Sequence, residues 1–599
     1  MATDPRRPWL DHYPKEVPPS LDYPDIPVPR FLEDAARDYP ERAATIFFGA
    51  RRTYAQIRDE ARRFAVALGR LGVHPGDRVA LILPNCPQAV AAHYGALYSG
   101  AVVVWVNPLY TVREMAHQLQ DSGARAAVAL DLVHPRLEEA RRQAGLETVM
   151  YTSIRDRLPF PLRQIYPLKQ KLPRIRYDAP RVLDGAPAAG GVPGPAGGAP
   201  GRAGRSAPGA PLTLRYDDVW RAVPPEDARA PLPGESLGRD DLALLQYTGG
   251  TTGVAKGVML THGNLVANTL QAEAWLYRFK RGEGVTLGVL PFFHVYGLTT
   301  VLHYAVRNAT TMILIPRFDV RMMVDAIERY RVQIFPGAPT MYVAVNRFPG
   351  IEKRDLSSID ACISGSAPLP LEVQAEFERL TGGRLVEGYG LSEASPVTHC
   401  NPVWGERRPG SIGLPWPDTD ARIVHPETGE ELGPGEVGEL CVRGPQVMKG
   451  YWNRPDETAL VLKDGWLYTG DLATMDADGY FRIVDRKKDV IIAGGFNVYP
   501  REVEEVLYQL PAVEEAVVFG VPDPYRGETV KAVIKLKPGQ ALTAEEVERH
   551  CRSQLTGYKV PRIIEFRDEL PKSAVGKILR RVLVEEARRA AAGEESRSS

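Results

Sequence analysis

With 599 residues, 44% of them hydrophobic and 25% charged, the chain has the composition of a globular protein and the length for about three structural units. Its 74 basic and 74 acidic residues cancel, which removes the electrostatic case for a nucleic-acid or strongly acidic partner. The five cysteines (Cys86, Cys362, Cys400, Cys441 and Cys551) lie far apart, a pattern that is neither a disulfide framework nor a zinc site.

The first residues lack the apolar core of a signal peptide. Apolar runs such as Ala101 to Val106 are far short of the ~20 residues a membrane span needs. The expected location is therefore the cytoplasm, with any membrane contact peripheral, on the inner face of the cell membrane.

Along residues 30–150, helical patterns alternate with short apolar strands. A strand over Asp77 to Pro84, a helix around Gln88 to Ser99 and the run from Ala101 to Val106 argue for an α/β fold with a largely parallel sheet. Between Arg155 and Lys171, basic residues interleave with Phe160, Leu162, Ile165, Tyr166 and Leu168. Such a segment either packs as a surface connection or rests on an anionic membrane. Residues 185–211 are almost all Gly, Ala and Pro; they bury too little apolar surface to offset ordering entropy and read as a flexible insertion. A second long α/β stretch runs from Leu242 to Asp471. After the charged segment Asp485 to Asp489 the pattern restarts, with a strand at Val490 to Ile492, a helix from about Pro500 and a strand at Ala516 to Phe519. The expected organisation is a large domain over 1–484, a hinge at 485–489 and a small α+β domain over 490–599. The last dozen residues are expected to fray.

Two segments carry the strongest chemical signal. In the first, the strand from Leu244 enters Thr248-Gly249-Gly250-Thr251-Thr252-Gly253 and then Lys256. Glycines let backbone N–H groups approach phosphate oxygens, threonine hydroxyls add donors or a metal ligand, and Lys256 adds a mobile cation. The order differs from the Walker A loop, because Lys256 precedes Gly257. The second is Pro571 to Arg580, with a lysine at position 577.

The segment Tyr247 to Gly257 resembles the phosphate loop of the adenylate-forming superfamily, although the family usually has Ser at the position of Gly250. Further segments resemble that family in the same order, from about Pro8 to Glu586, and within it the similarity is to bacterial long-chain fatty acid–CoA ligases. The resemblance implies a large domain of layered α/β sheets with a small barrel-like β subdomain, and a small mobile C-terminal domain. It makes Glu387, Gly388, Tyr389, Gly390 and Ser392 an adenine and ATP motif, with Ser392 where Thr is usual. Glu393 would then face Mg²⁺ together with the Thr248 hydroxyl. Gly365, Ser366 and Ala367 would lie beside adenine, with Gly365 also flooring the acyl pocket. Asp471 would accept from the ribose hydroxyls, with Arg486 and Ile483 in the same nucleotide site. His294, Val295, Tyr296 and Gly337 would line the acid pocket, which has no Asp for an α-amino group and so suits an alkyl chain. Lys577 is implied as the catalytic lysine. Lys488 would be the hinge, and Gly494, Gly495 and Phe496 would admit coenzyme A. The implied reaction turns a long-chain fatty acid, ATP and CoA into acyl-CoA, AMP and pyrophosphate. A homodimer is compatible with the resemblance. Two other readings remain at this point: an enzyme that loads a carrier protein from the acyl-adenylate, and a non-catalytic lipid binder.

Overall fold

The computed structural model describes residues 7–179, 211–248, 255–493, 496–523, 526–573 and 576–598. The insertion expected at 185–211 lies outside these residues except for Pro211.

Two large sheets form the body of the molecule. The eight-stranded sheet has a parallel centre made of Arg78–Ile82, Val102–Trp105, Ala124–Leu130, Thr148–Thr152, Leu212–Arg215 and Leu242–Thr248. It is extended on one side by Lys256–Thr261 and Gly450–Tyr451, both antiparallel. The nine-stranded sheet is built on parallel Val285–Gly288, Thr311–Leu314, Ile334–Gly337, Ala361–Ser364 and Arg384–Gly390. These strands are short apolar runs because both faces are covered. The helix Pro87–Tyr98 is buried at every position, as an all-round apolar helix must be. One continuous core includes Val103 and Leu244 of the first sheet, Tyr94 of this helix, and Ile334 and Ile363 of the second.

A third sheet of five strands, Asp420–Val424, Gly438–Arg443, Leu462–Lys463, Trp466–Met475 and Phe481–Arg486, is antiparallel throughout. The chain then turns through Lys487–Asp489 into a smaller unit with a sheet of its own. There Val513–Asp523 and Gly527–Leu536 form the central hairpin, and Ile563–Phe566 joins it in parallel. Helices Pro500–Tyr508 and Ala544–Gln554 close one face over Val503, Leu507, Val547 and Cys551. This core is separate from that of the large domain.

A helix continues over Arg580–Ser598, because Ala, Arg and Glu are strong helix formers and no Pro interrupts them. All five cysteines are free and buried. Among the described residues no helix is long and apolar enough to cross a membrane.

Candidate active site

The C-terminal ends of the parallel strands of both sheets converge with the antiparallel sheet and the small domain. Thr248 ends its strand and pairs across the hairpin with Lys256; Gly249, Gly250, Thr251, Thr252 and Gly253 lie outside the described residues. The Lys256 ammonium is ion-paired with Glu457 and lies 5.2 Å from the centre of the Tyr451 ring. The Tyr451 hydroxyl donates to Glu393 Oε1 at 2.8 Å. Glu393 is seated by a one-turn helix, Ser392–Ala394, and its carbonyl accepts from Met448 N–H at 2.8 Å. Tyr451 therefore touches both the loop cation and the carboxylate expected at the metal. Among the described residues no group of three or more His, Cys, Asp or Glu side chains forms a metal cage. The donors on hand are one carboxylate and one hydroxyl, hard oxygens that suit Mg²⁺ when phosphates and waters complete its shell.

Asp471 and Arg486 are direct partners across two antiparallel strands. The buried Asp471 carboxylate accepts from the Tyr389 hydroxyl at 2.5 Å and faces Arg486 Nε at 3.2 Å. Opposite charge and a phenol donor hold this carboxylate with its remaining acceptor capacity free for hydroxyl donors. Ser366, next to the strand end, has φ +72°, an uncommon conformation for a non-glycine residue. Gly390 cannot carry a side chain, because a Cβ there would lie 2.2 Å from the Pro396 carbonyl. Glu387, buried on the same strand, has an Oε2 with no partner. Burial pushes its carboxyl up to about 7, against the pull of Arg501, whose guanidinium lies 4.0 Å away.

His294 caps a short turn, and its Nδ1 accepts from the Tyr296 N–H at 3.2 Å, which assigns the ring proton to Nε2. Burial, together with the positive charge of Lys577, pushes His294 down to about 4, so the ring is neutral at physiological pH. Tyr296 donates to the Ile363 carbonyl at 2.7 Å. Its ring leaves only 3.1 Å for a Cβ at Gly365; Val295 beside it is buried. Gly337 is pinned between Phe335 and Tyr342, each 3.0 Å from where its Cβ would stand. Beyond this wall lies an enclosed apolar gap bordered by Leu276, Thr300, Tyr304, Ile334, Ile363 and Trp416, of only about 10 Å³. That is room for no more than a water-sized group.

Lys577 comes from the other domain. Its loop is held by Ser573, whose N–H donates to the Lys577 carbonyl (2.8 Å) and whose Oγ accepts from the Lys577 N–H (3.2 Å). Burial first, then the nearby Arg486 guanidinium, push the ammonium down to about 8, with Asp471 opposing. Solvent still reaches more than a third of this residue. The ammonium therefore sits in an open cleft. The structure thus brings Lys577, His294, Asp471 and Arg486 into one electrostatic neighbourhood. Ile483 supplies a carbonyl to Arg501 at 2.9 Å. Lys488 is pushed downward by burial and then by Arg486. Phe496 is not in this neighbourhood; it is 56% exposed and stacks on Tyr558 of its own domain at 4.6 Å. Gly494 and Gly495 lie outside the described residues.

A family model described as AMP-binding enzyme matches residues 32–452, and one described as AMP-binding enzyme C-terminal domain matches residues 502–577. The chain belongs to the AMP-binding enzyme family. A long-chain-fatty-acid–CoA ligase of Bacillus subtilis (strain 168) is 48% identical to it over 581 residues, covering 97% of this chain and 98% of the relative. One of Escherichia coli O157:H7 is 40% identical over 595 residues, with the same coverage. A solved structure of an anthranilate CoA ligase in complex with anthranoyl-AMP superposes with a TM-score of 0.79 at 27% identity, covering 96% of this chain and 99% of that one.

For this AMP-binding enzyme, the fold gives contacts at the site to four residues whose partners the motifs did not specify. Tyr451 and Glu457 engage Lys256 from the far end of the large domain. Arg501 reaches Glu387 from the small domain. Thr340 packs on Gly576, as described below. Nothing local in the sequence tells what the Tyr451 hydroxyl holds.

Proposed function

We propose that this AMP-binding enzyme joins long-chain fatty acids to coenzyme A in two steps. ATP and the fatty acid first give acyl-adenylate and pyrophosphate; the CoA thiol then displaces AMP to give the thioester. The observation that carries this reading is the approach of Lys577 to His294, Asp471 and Arg486 across the domain boundary, in a chain that aligns end to end with ligases of that name.

In the first step, a substrate carboxylate oxygen bonds to the α-phosphorus and the bond to the pyrophosphate oxygen breaks. No protein nucleophile is consumed. Lys577 stabilises charge on the α-phosphoryl oxygens and the attacking carboxylate. Neutral His294 donates from Nε2 towards the carboxylate without adding a second cation beside Lys577. Asp471 and Arg486 hold the ribose, and the Gly249–Gly253 loop with Lys256 holds the phosphates. Glu393 and Thr248 would hold Mg²⁺, which neutralises phosphate charge when bound. In the second step the thiol loses its proton to solvent, its sulfur bonds to the acyl carbon and AMP departs. The small domain, residues 490–599, turns about 485–489 between steps and carries the Gly494–Phe496 loop inward. Arg486 ends a strand of the large domain, at the start of that turn.

A peripheral membrane contact belongs to the same proposal. Helix Leu162–Lys169 leaves Leu168 86% and the preceding Phe160 80% exposed. Leu162 and Ile165 are exposed beside them, as are Arg163, Lys171, Arg174 and Arg176. Apolar side chains ringed by cations suit an anionic bilayer, where a fatty acid substrate resides.

The test is mass spectrometry of products from Mg-ATP, CoA and an equimolar mixture of acids from acetate to oleate, with aryl acids included. Long-chain acyl-CoA with AMP is the expected result. Thioesters of only short or aryl acids overturn the substrate class, and acyl-adenylate without thioester points to carrier loading.

A further inference from the structure

The helix Pro339–Asn346 starts at the edge of the acid pocket and ends, through its C-cap Arg347, on the outer surface. Both ends touch the small domain. At the first, Thr340 presses on Gly576: a Cβ on that glycine would stand 2.3 Å from Thr340 Oγ1 and 3.2 Å from its Cβ. Gly576 also has φ +79°, so the residue before Lys577 is glycine for two separate reasons. At the second, Arg347 Nη1 donates to Glu514 Oε1 at 2.9 Å. From Thr340 to Arg347 the helix rises about 10 Å, so the two contacts fix a line rather than a point.

The contacts are connected on the small-domain side as well. Glu514 lies on strand Val513–Asp523, and its neighbour Glu515 holds Lys572 Nζ at 2.5 Å. Lys572 opens the loop that carries Gly576 and Lys577, and it bridges to Ile578 across that loop. A tug on Glu514 is therefore a tug on the base of the lysine loop.

We propose that helix Pro339–Asn346 is a docking rail that sets Lys577 for adenylation, with Thr340 as its stop and Arg347–Glu514 as its releasable end. Thr340 and Arg347 are positioning residues, since neither acts on the reacting atoms. The inference rests on the two-step reading above. Rotation of the small domain for thioester formation breaks both contacts. The releasable end is suited to that cycle: 43% of the Arg347 side chain is open to solvent, and exposed pairs of this kind shift an equilibrium by only about two- to fivefold.

The experiment measures the half-reactions separately, adenylation by ATP–pyrophosphate exchange and thioester formation from supplied acyl-adenylate. The variants are Arg347→Glu, Glu514→Arg, their combination, and Lys577→Ala. Each single charge reversal is expected to lower the adenylation kcat about fivefold or more, with KM for ATP and the thioester half-reaction preserved. The combined swap is expected to restore adenylation. Equal loss in both half-reactions, no loss in either, or failure of the swap to rescue would overturn the rail. If Lys577→Ala itself keeps full adenylation, the underlying two-step assignment fails instead; loss there with normal charge-reversal variants removes the rail alone.

Discussion

The pH dependence of adenylation is where the electrostatics of the site are most exposed to test. The proposed mechanism uses Lys577 as an ammonium, and burial pushes that ammonium down to about 8 in the free enzyme. Its active form is the charged one, so kcat/KM for ATP, which reports free-enzyme ionisations, should fall as pH rises. Half the adenylation efficiency is lost near pH 8, and about a tenfold loss is reached one unit above that. Arg486 supplies part of the depression and burial the larger part. Arg486→Gln should therefore move the alkaline limb upward by a fraction of the total shift, besides weakening ribose binding. Lys577→Arg keeps a cation that does not titrate below about pH 12. Its residual adenylation, however slow, should show no alkaline limb near 8. Pyrophosphate exchange from pH 6 to 10 decides the matter. A limb that persists unchanged in Lys577→Arg, or adenylation undiminished in Lys577→Ala, refutes the assignment of the limb to this lysine.

Three further outcomes are expected. Glu387 has a carboxyl raised to about 7. Between its ordinary value near 4.5 and that pH, the folded chain keeps a proton the unfolded chain releases, so stability falls as pH rises through this window. Glu387→Gln should then raise the melting temperature at pH 8 by about 2 °C or more and leave it little changed at pH 4.5; equal shifts at both would contradict the burial argument. Tyr451→Phe removes the donor to Glu393 Oε1 and should raise the free Mg²⁺ needed for half-maximal adenylation about tenfold, while an unchanged Mg²⁺ titration would separate Tyr451 from the metal. Replacing Phe160 and Leu168 together by Ser should abolish co-sedimentation with phosphatidylserine vesicles under conditions where the unchanged chain binds them, and retained binding would dismiss that helix as the membrane contact.

The layered α/β plan was legible because its strands are short apolar runs bounded by Pro and Gly. Leu242–Thr248 and Pro87–Tyr98 could be placed almost to the residue. Asp471 and Arg486 were readable separately as motif residues, and the structure adds that they are cross-strand partners. What stayed hidden are contacts between segments distant in sequence, which leave no periodicity behind. The grip of Glu457 on Lys256 is one, and the seating of Gly576 on Thr340 is another. The narrow gap beyond Tyr296 is equally unreadable, since it depends on how Leu276, Tyr304 and Trp416 interlock.

The five enclosed thiols bear on chemoselectivity. An acyl-adenylate is a mixed anhydride, and any accessible thiolate will take its acyl group. Burial lifts Cys86 and Cys441 to about 12 and Cys551 to about 11, and lifts Cys362 and Cys400 well above the usual thiol range. Two of these lie next to residues proposed for the nucleotide site. Cys362 is on the strand that ends at Ser364, and Cys400 Sγ would be 3.4 Å from a Cβ on Gly388. Kept protonated and walled in, they cannot become self-acylation traps. An enzyme that holds an activated acyl group until an external thiol arrives has thus made its own sulfur unavailable, so the incoming coenzyme meets no internal rival.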